Sequence, residues 1–442
     1  MKKANVTFYG GVNEIGGNKI LLEDSDAKVM LDFGMSFALR SQYYSVPFLS
    51  PKSERELLDF GILPDLQGIY KFDSAGPKID AVFLSHSHMD HAAYLSFLKR
   101  KIPVYCGETT ATILDAYSEV RPSKLEFDFK GLQFKTFRTG DKIRLGSLQI
   151  EPVHVDHSIP GSYGFIIHTS SGTVVYTGDL RRHGSRPSLT EDFIEECIDA
   201  EPDTLITENT NMTGVEVSSE SEVMRKLNEI VQHTKGLVLA NFASADVDRL
   251  RSFYDAAVNN GRKLVLTLKQ AHLMHRLSED PHLDIPKVED ENVCVYQKPK
   301  KRYFRWEQEA MKLGELVDSQ DITKKQSRLV MASSFYDLGE LAEIKPPAGS
   351  SYILSASEPF NEEMEIDFER LTNWLEHYGL PQYHVHVSGH IMPLHLRRSL
   401  ETIRPRKILP IHGTHPELFS RFVKDLDSEV MLPEREGSHK IG

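Results

Sequence analysis

Cysteine is scarce in this chain of 442 residues: Cys106, Cys197 and Cys294 are far apart and odd in number, which excludes a disulfide framework and suits reduced thiols. No apolar run is long enough for a spanning helix. The opening Met-Lys-Lys-Ala-Asn-Val-Thr-Phe-Tyr lacks the apolar stretch of a secretory signal, so a cytoplasmic protein with no membrane partner is the expectation. Net positive charge is absent too. A formal charge of -12 supplies no overall basic footprint for a nucleic acid, so phosphate contacts would have to come from local clusters. Two are present, Lys298-Pro-Lys-Lys-Arg302 with Tyr303, Phe304, Arg305 and Trp306 beside it, and Arg397, Arg398, Arg404, Arg406 and Lys407. Each reads either as a groove lining or as a solvated basic face. Internal repeats, low-complexity tracts and long linkers are also missing. What remains is the composition of an ordinary globular protein, 40% hydrophobic and 26% charged, long enough for two domains.

Histidine, by contrast, is concentrated. In Phe83-Leu-Ser-His-Ser-His-Met-Asp-His91, four potential ligands fall within six positions after a short apolar strand. Imidazole with carboxylate suits zinc or a similar divalent metal. His86 and His88, two apart on extended chain, can converge on one ion while Asp90 and His91 turn toward another. A His-rich solvated turn is the bland alternative. Further candidates stand at strand ends: His157 in Val155-Asp-His-Ser-Ile-Pro, with His154 as a rival; Asp179 in Tyr176-Thr-Gly-Asp179; His390 in Ser388-Gly-His390; and His412 in Pro410-Ile-His-Gly413. Asp32, ending its own strand, reads as support for the metal site or a turn cap.

Organisation follows from periodicity. Asn5 to Phe33 reads as strand, glycine-rich turn (Gly10 to Gly17) and strand; the turn lacks the Lys-Ser/Thr of a phosphate loop. Residues 36–76 read as a polar, Pro-punctuated insertion, and Ala92 to Lys101 carries a helix pattern. From about Thr204, strands alternate with helices, the pattern of a parallel α/β layer. Strand Gly236–Phe242 leads there to a helix over Asp246–Val258.

His86-Ser-His-Met-Asp-His91, His157 and Asp179 resemble the metal motifs of the metallo-β-lactamase fold. Glu208, His390 and His412 resemble the three further motifs of the β-CASP nucleases, and Gly10-Gly-Val-Asn-Glu-Ile-Gly with His157-Ser-Ile-Pro narrows the resemblance to the ribonuclease J family. It implies an αββα sandwich over residues 1–208 and 385–442 with a parallel α/β β-CASP domain inserted at 209–384. It implies two zinc ions, replaceable by Mn or Mg: His86, His88 and His157 on one, Asp90, His91 and His412 on the other, Asp179 bridging, and a hydroxide between the metals as nucleophile. His390, oriented by Glu208, becomes the general acid, with a metal-ligand or phosphate-orienting role as its rival. Ser244, Ser388, Gly389 and His390 would hold the substrate, although a plain helix N-cap also explains Ser244.

The activity so implied is a 5′-to-3′ exoribonuclease on single-stranded RNA with a 5′ monophosphate, also cutting internally. An endoribonuclease of the RNA 3′-end-processing type and a non-catalytic RNA-binding paralogue are the alternatives. The full ligand set disfavours the paralogue, and the three inserted-domain motifs disfavour a small-molecule hydrolase. Two departures stand out: Ala245 occupies a position where bacterial members commonly have Asn, and the sequence ends soon after the last motif, as in shorter archaeal members. A homodimer is expected.

Overall fold

The computed structural model describes residues 3–45, 48–120, 125–214, 216–356 and 362–442, with backbone only for 362–365. The chain divides into two compact units, residues 1–216 with 389–442, and residues 217–388.

In the first unit, β1 (Asn5–Gly10), β2 (Lys19–Asp24), β3 (Ala27–Leu31), β4 (Ala81–Phe83), β5 (Pro103–Gly107) and β6 (Gln133–Phe137) form one sheet in sequence order. A second sheet begins with β7 (Ile143–Leu145), β8 (Leu148–His154), β9 (Tyr163–Thr169), β10 (Gly172–Tyr176) and β11 (Thr204–Glu208). The second unit holds β12 (Val238–Phe242), β13 (Lys263–Thr267), β14 (Val293–Tyr296), β15 (Glu315–Val317), β16 (Leu329–Ala332), β17 (Ser351–Ser355) and β18 (Gln382–His384). The chain then returns: β19 (Lys407–Ile411) pairs in parallel with β11, β20 (Glu429–Val430) follows on the second sheet, and β21 (Ser438–Lys440) closes the first sheet against β1.

Period-two alternation makes the layers. Ile20, Leu22, Val29, Leu31 and Phe83 meet Phe165, Ile167, Val174, Tyr176, Ile206 and Leu409 in one core between the sheets. Their neighbours Leu21, Met30 and Val82 point to the opposite face, where Tyr94, Phe97 and Leu114 cover them. On the outer face of the second sheet, Ile166, Val175, Leu205 and Ile408 pack under Phe193, Leu396 and Phe419 from three helices. Strands buried on both faces read as continuous apolar runs, as these do. The result is helix, sheet, sheet, helix, the αββα sandwich that the motifs imply.

The second unit is a sheet in which every pair is parallel, ordered β15-β14-β13-β16-β12-β17-β18. The helix after β12 runs Val247–Asn259 with Asp246 as its N-cap, accepting from the Arg249 amide. Thr210 and Asn211 are tied into the first unit through His412 and His390.

One expected helix is not continuous. Met89–Ala92 forms a short helical turn, Ala93–Phe97 a 3-10 turn, and Leu98 is extended. The amides of Lys71 and Lys99 bond the Phe97 and Ile69 carbonyls, so the 69–71 segment takes the hydrogen bonds that a longer helix would have used. The insertion at 36–76 contains two short helices, Phe37–Ser41 and Glu54–Asp59, each with a serine side-chain N-cap. No helix among the described residues is long and apolar enough to cross a membrane.

Candidate metal centre

Five strands of the sandwich end around one point. β4 leads to His86, His88, Asp90 and His91; β8 to His157; β10 to Asp179; β11 ends in Glu208; and β19 leads to His412. Because β10, β11 and β19 are parallel neighbours, Asp179, Glu208 and His412 arrive side by side at their carboxyl ends. Backbone bonds hold the histidine turn in place. Phe33 N donates to the His91 carbonyl at 2.8 Å, Met35 N to that of Met89 at 3.0 Å, and Asn18 N to that of Asp90 at 3.0 Å. Gly34 allows this approach, since a Cβ there would overlap the Asp90 carbonyl.

The structure gathers His86, His88, His157 and Asp179 into one group of potential ligands, and Asp90, His91 and His412 into another. Asp179 Oδ2 lies 3.7 Å from His86 Nε2, 3.1 Å from His91 Nε2, 3.8 Å from His157 Nε2, 3.6 Å from His412 Nε2 and 3.8 Å from His390 Nδ1. His88 presents Nδ1 instead, 3.1 Å from the Nε2 atoms of His86 and His157.

In His86, His91, His157 and His412 the far ring nitrogen is claimed by a partner that fixes which nitrogen is left for the centre. His91 Nδ1 donates to Asp32 Oδ2 at 2.7 Å, and His157 Nδ1 donates to the Gly389 carbonyl at 2.6 Å. His86 Nδ1 lies 3.0 Å from Ser85 Oγ, and His412 Nδ1 lies 2.9 Å from Thr210 Oγ1. Asp32 also accepts from Ser85 N at 2.7 Å, Ser85 Oγ at 2.8 Å and Tyr176 Oη at 2.6 Å; Asn18 Nδ2 in turn donates to Tyr176 Oη at 3.1 Å. Asp32 holds φ at +57° and His412 at +53°, left-handed conformations that the surrounding bonds must maintain.

Electrostatics follow the burial. Desolvation pushes the His86 and His157 imidazoles well below their ordinary range and His88 down to about 4, so these three offer lone pairs. Asp179 and Asp90 are also desolvated, but the neighbouring imidazoles outweigh that and keep both carboxyls well below the usual carboxylate range. His91 is raised well above its ordinary value; the carboxylates of Asp179, Asp32 and Asp90 overcome its burial. Both oxygens of Asp179 and Nε2 of His91 are nonetheless buried without a hydrogen bond. Buried polar atoms of this kind demand a partner. Ligand atoms about 2.1 Å from a tetrahedral ion sit roughly 3.4 Å apart, and the separations found here bracket that value. The donor set therefore fits divalent metal.

His390 forms a third group of potential ligands with Asp179 and His412, and it also faces Glu208. Its Nδ1 lies 3.1 Å from Glu208 Oε2, and Glu208 Oε1 is held by the amides of Leu180 at 3.1 Å and Ile391 at 3.4 Å. Burial alone would lower the His390 imidazole, but the charges of Glu208 and then Asp179 push it up to about 9.

The remaining candidates are placed as follows. His154 stays out of the centre, stacked on Tyr163 at 4.8 Å. Gly389 orients His157 through its carbonyl. Ser388 is the last residue of the second unit, and Ser244 lies there just before the Val247–Asn259 helix, lining a crevice. Some cations of the basic runs are ion-paired: Lys298 with Asp337 at 3.1 Å, Lys300 with Glu307, Arg397 with Asp425, and Arg406 with Asp203 at 3.1 Å. Thr210, Ser85, Tyr176 and Asn18 were not among the candidates. A Thr two residues past Glu208 is the one sequence signal that could have drawn notice.

Residues 67–218 match the model of a beta-lactamase superfamily domain. Over nearly the whole chain the sequence is similar to ribonuclease J of Mycolicibacterium smegmatis, 28% identical and covering 92% of this chain and 68% of that protein. It is similar also to ribonuclease J 2 of Streptococcus pyogenes, 25% identical over 95% of this chain and 71% of the relative. A crystal structure of a protein of unknown function from Enterococcus faecalis superimposes with a TM-score of 0.78, 22% identity and 99% of this chain covered, a likeness of fold.

Proposed function

Because the chain belongs to the ribonuclease J family and is a metal-dependent RNA-hydrolysing enzyme, we propose that it removes nucleotides from single-stranded RNA in the 5′-to-3′ direction. We assign it two zinc ions, exchangeable with Mn or Mg, and a preference for a 5′ monophosphate. The observation that carries the catalytic reading is the Asp179 carboxylate, buried without a hydrogen bond and ringed by five imidazole nitrogens.

His86, His88 and His157 would hold one ion and Asp90, His91 and His412 the other, with Asp179 shared. When bound, such a pair of ions acidifies water toward neutral pH and offsets the negative charge that builds on a phosphodiester. The protein's own groups do the rest. Asp32, Gly389, Ser85 and Thr210 set the histidine tautomers. The charge of Glu208 favours the protonated His390 ring, and we assign it to protonate the departing 3′ oxygen, with Glu208 fixing the ring and holding the charge. Ser244 has a half-buried hydroxyl before a helix N-terminus, which favours phosphate; with Ser388 and Gly389 it is assigned to grip the 5′ end. A triphosphate adds bulk and charge to that end, so monophosphate RNA should be degraded faster. Cytoplasmic location and a homodimer complete the proposal.

A time course with 5′-labelled and 3′-labelled copies of one single-stranded RNA tests direction. Early label release as mononucleotide from the 5′-labelled copy, with progressive shortening of the other, is expected. Discrete internal fragments from both copies, insensitive to the 5′ group, would replace the exonuclease with an endonuclease.

A further inference from the structure

The glycine-rich turn that joins β1 to β2 supplies no metal ligand and no acid, yet the fold braces it firmly. Glu14 bends back over it, with Oε1 accepting from the Gly11 amide at 3.2 Å and Oε2 from the Ser36 hydroxyl. The fully buried Lys19 donates from Nζ to the Gly17 carbonyl at 3.1 Å. Gly16 holds φ at +82°, a left-handed conformation that favours glycine. Connecting loops without a further duty are mobile and tolerant of change, so this bracing calls for a reason.

What the braced turn holds is one half of the metal centre. The Asn18 amide donates to the Asp90 carbonyl at 3.0 Å, and the Gly11 carbonyl accepts from the His412 amide at 2.7 Å. One short segment thus ties down two candidate ligands that are 322 positions apart in the chain. The Asn18 carbonyl accepts from the Gly34 amide at 2.9 Å, and the neighbouring Phe33 amide donates to the His91 carbonyl at 2.8 Å, so the third ligand is held through the same seam. Contact extends to the ligand oxygen itself. A Cβ on Gly16 would stand 2.5 Å from Asp90 Cβ and 2.6 Å from Asp90 Oδ2, the oxygen that lies 3.2 Å from His412 Nε2. Carbon atoms in contact need about 3.5 Å or more, so an alanine there moves Asp90 by roughly 1 Å, about half the length of a metal–oxygen bond.

The other half is held from elsewhere. Among the described residues, no hydrogen bond of the turn reaches His86, His88 or His157. Ser85 Oγ serves His86 and the Gly389 carbonyl serves His157. Gly389 is the counterpart of Gly16, since a Cβ on it would stand 3.0 Å from His157 Cε1 and 2.6 Å from Ser158 Oγ. A shared route runs from Asn18 Nδ2 through Tyr176 to Asp32, which reaches His91 directly and His86 by way of Ser85. We propose that the turn is a positioning device for the second ion alone, with Glu14 and Gly16 as its positioning residues. It sets Asp90 and His412 before metal arrives, so the second ion can be lost while the first stays. This rests on the assignment of two ions with Asp90, His91 and His412 on the second.

Zinc content by elemental analysis, and zinc affinity by competition with a chromophoric chelator, are measured on the full chain and on Gly16→Ala, Glu14→Ala, Glu14→Gln and Gly389→Ala. Lost support costs about 10–100-fold in metal affinity, so Gly16→Ala should hold about one ion where the wild type holds two. Glu14→Ala adds no overlap; it should weaken one ion about tenfold and leave the other unchanged, with Glu14→Gln in between because its one oxygen keeps one donor. Double variants identify the ion that is lost. Gly16→Ala with His412→Ala should still hold one ion, whereas Gly16→Ala with His88→Ala should hold none; Gly389→Ala should show the opposite pairing. If Gly16→Ala does not fold, Glu14→Ala decides. Wild-type affinity for both ions in Glu14→Ala, equal weakening of both, or loss of the remaining ion on adding His412→Ala to Gly16→Ala overturns the proposal. A wild type that holds fewer than two ions fails the two-ion assignment and takes this proposal with it, while two ions in the wild type and in every turn variant fail this proposal alone.

Discussion

Replacing Asp32 by Asn removes one negative charge from behind the centre while keeping the shape and a side chain that tolerates its φ of +57°. The carboxylate accepts four hydrogen bonds, from Ser85 N, Ser85 Oγ, Tyr176 Oη and His91 Nδ1. An amide accepts through one oxygen only, and its NH2 must face at least one of these donors. With its oxygen at the Oδ2 position the amide turns its NH2 on Ser85 N; His91 then keeps an acceptor but loses the negative one that holds its proton on Nδ1, and the tautomer with a proton aimed at Asp179 becomes more competitive. Loss of such supporting bonds costs about 10–100-fold in metal affinity, or roughly 1.4–2.7 kcal/mol. A buried donor left facing the amide costs about 1–3 kcal/mol of fold stability in addition. Competition against a chromophoric chelator measures the first, and urea denaturation of the metal-depleted protein measures the second. Asp32→Asn protein that is folded and binds metal within twofold of the wild type would refute the idea that Asp32 sets the His91 tautomer.

Lys19 is fully buried, its Nζ bonded to the Gly17 carbonyl at 3.1 Å, and desolvation lowers its ammonium to about 8. Its folded value lies below the unfolded one, so the unfolded chain binds the extra proton between pH 8 and about 10.5, and stability rises with pH there, by roughly 3 kcal/mol relative to Lys19→Met. Denaturation of both proteins at pH 7.5 and 10.5 checks this; a difference that stays flat contradicts it. Arg181, fully buried, donates its backbone amide to the Asp156 carbonyl at 2.8 Å and holds the Asp156 side chain at 3.4 Å, joining the loops that carry Asp179 and His157. Arg181→Met removes the guanidinium from the buried Asp156 carboxylate and should destabilise by about 3–5 kcal/mol, a loss that thermal melting would read as a large fall in midpoint. His390→Ala should keep most metal and lose 10²–10⁴-fold in turnover, while His412→Ala should deplete one ion; elemental analysis showing the reverse would exchange their roles.

The centre was legible because its chemistry is local: four potential ligands in six positions cannot be hidden by the fold. The sandwich was implied by the family resemblance that those motifs carry, while the apolar runs placed the motifs at strand ends. What supports the ligands was not legible, because the contacts join distant parts of the chain. Tyr176 and Asp32 are 144 positions apart, His157 and Gly389 232, and Thr210 and His412 202. Nothing in a Tyr inside an apolar strand says that its hydroxyl reaches the opposite sheet. The helix expected over Ala92–Lys101 failed for a similar reason, since carbonyls and amides that would have closed it are paired with the 69–71 segment. The helix Glu108–Val120 lay outside the expected set altogether; its apolar stripe is short and Thr-rich, and burial against the first sheet supplies the stability that propensity does not. For the basic runs, composition shows the cations but not the Asp337, Glu307, Asp425 and Asp203 that pair with some of them.

Metal content per chain, measured by elemental analysis on purified wild type and on Asp179→Ala alongside RNA hydrolysis, tests the account most directly. Two divalent ions per wild-type chain, with both depleted and hydrolysis lost in Asp179→Ala, is the result predicted for a carboxylate shared by two ions. Full metal occupancy and retained hydrolysis in Asp179→Ala would contradict it.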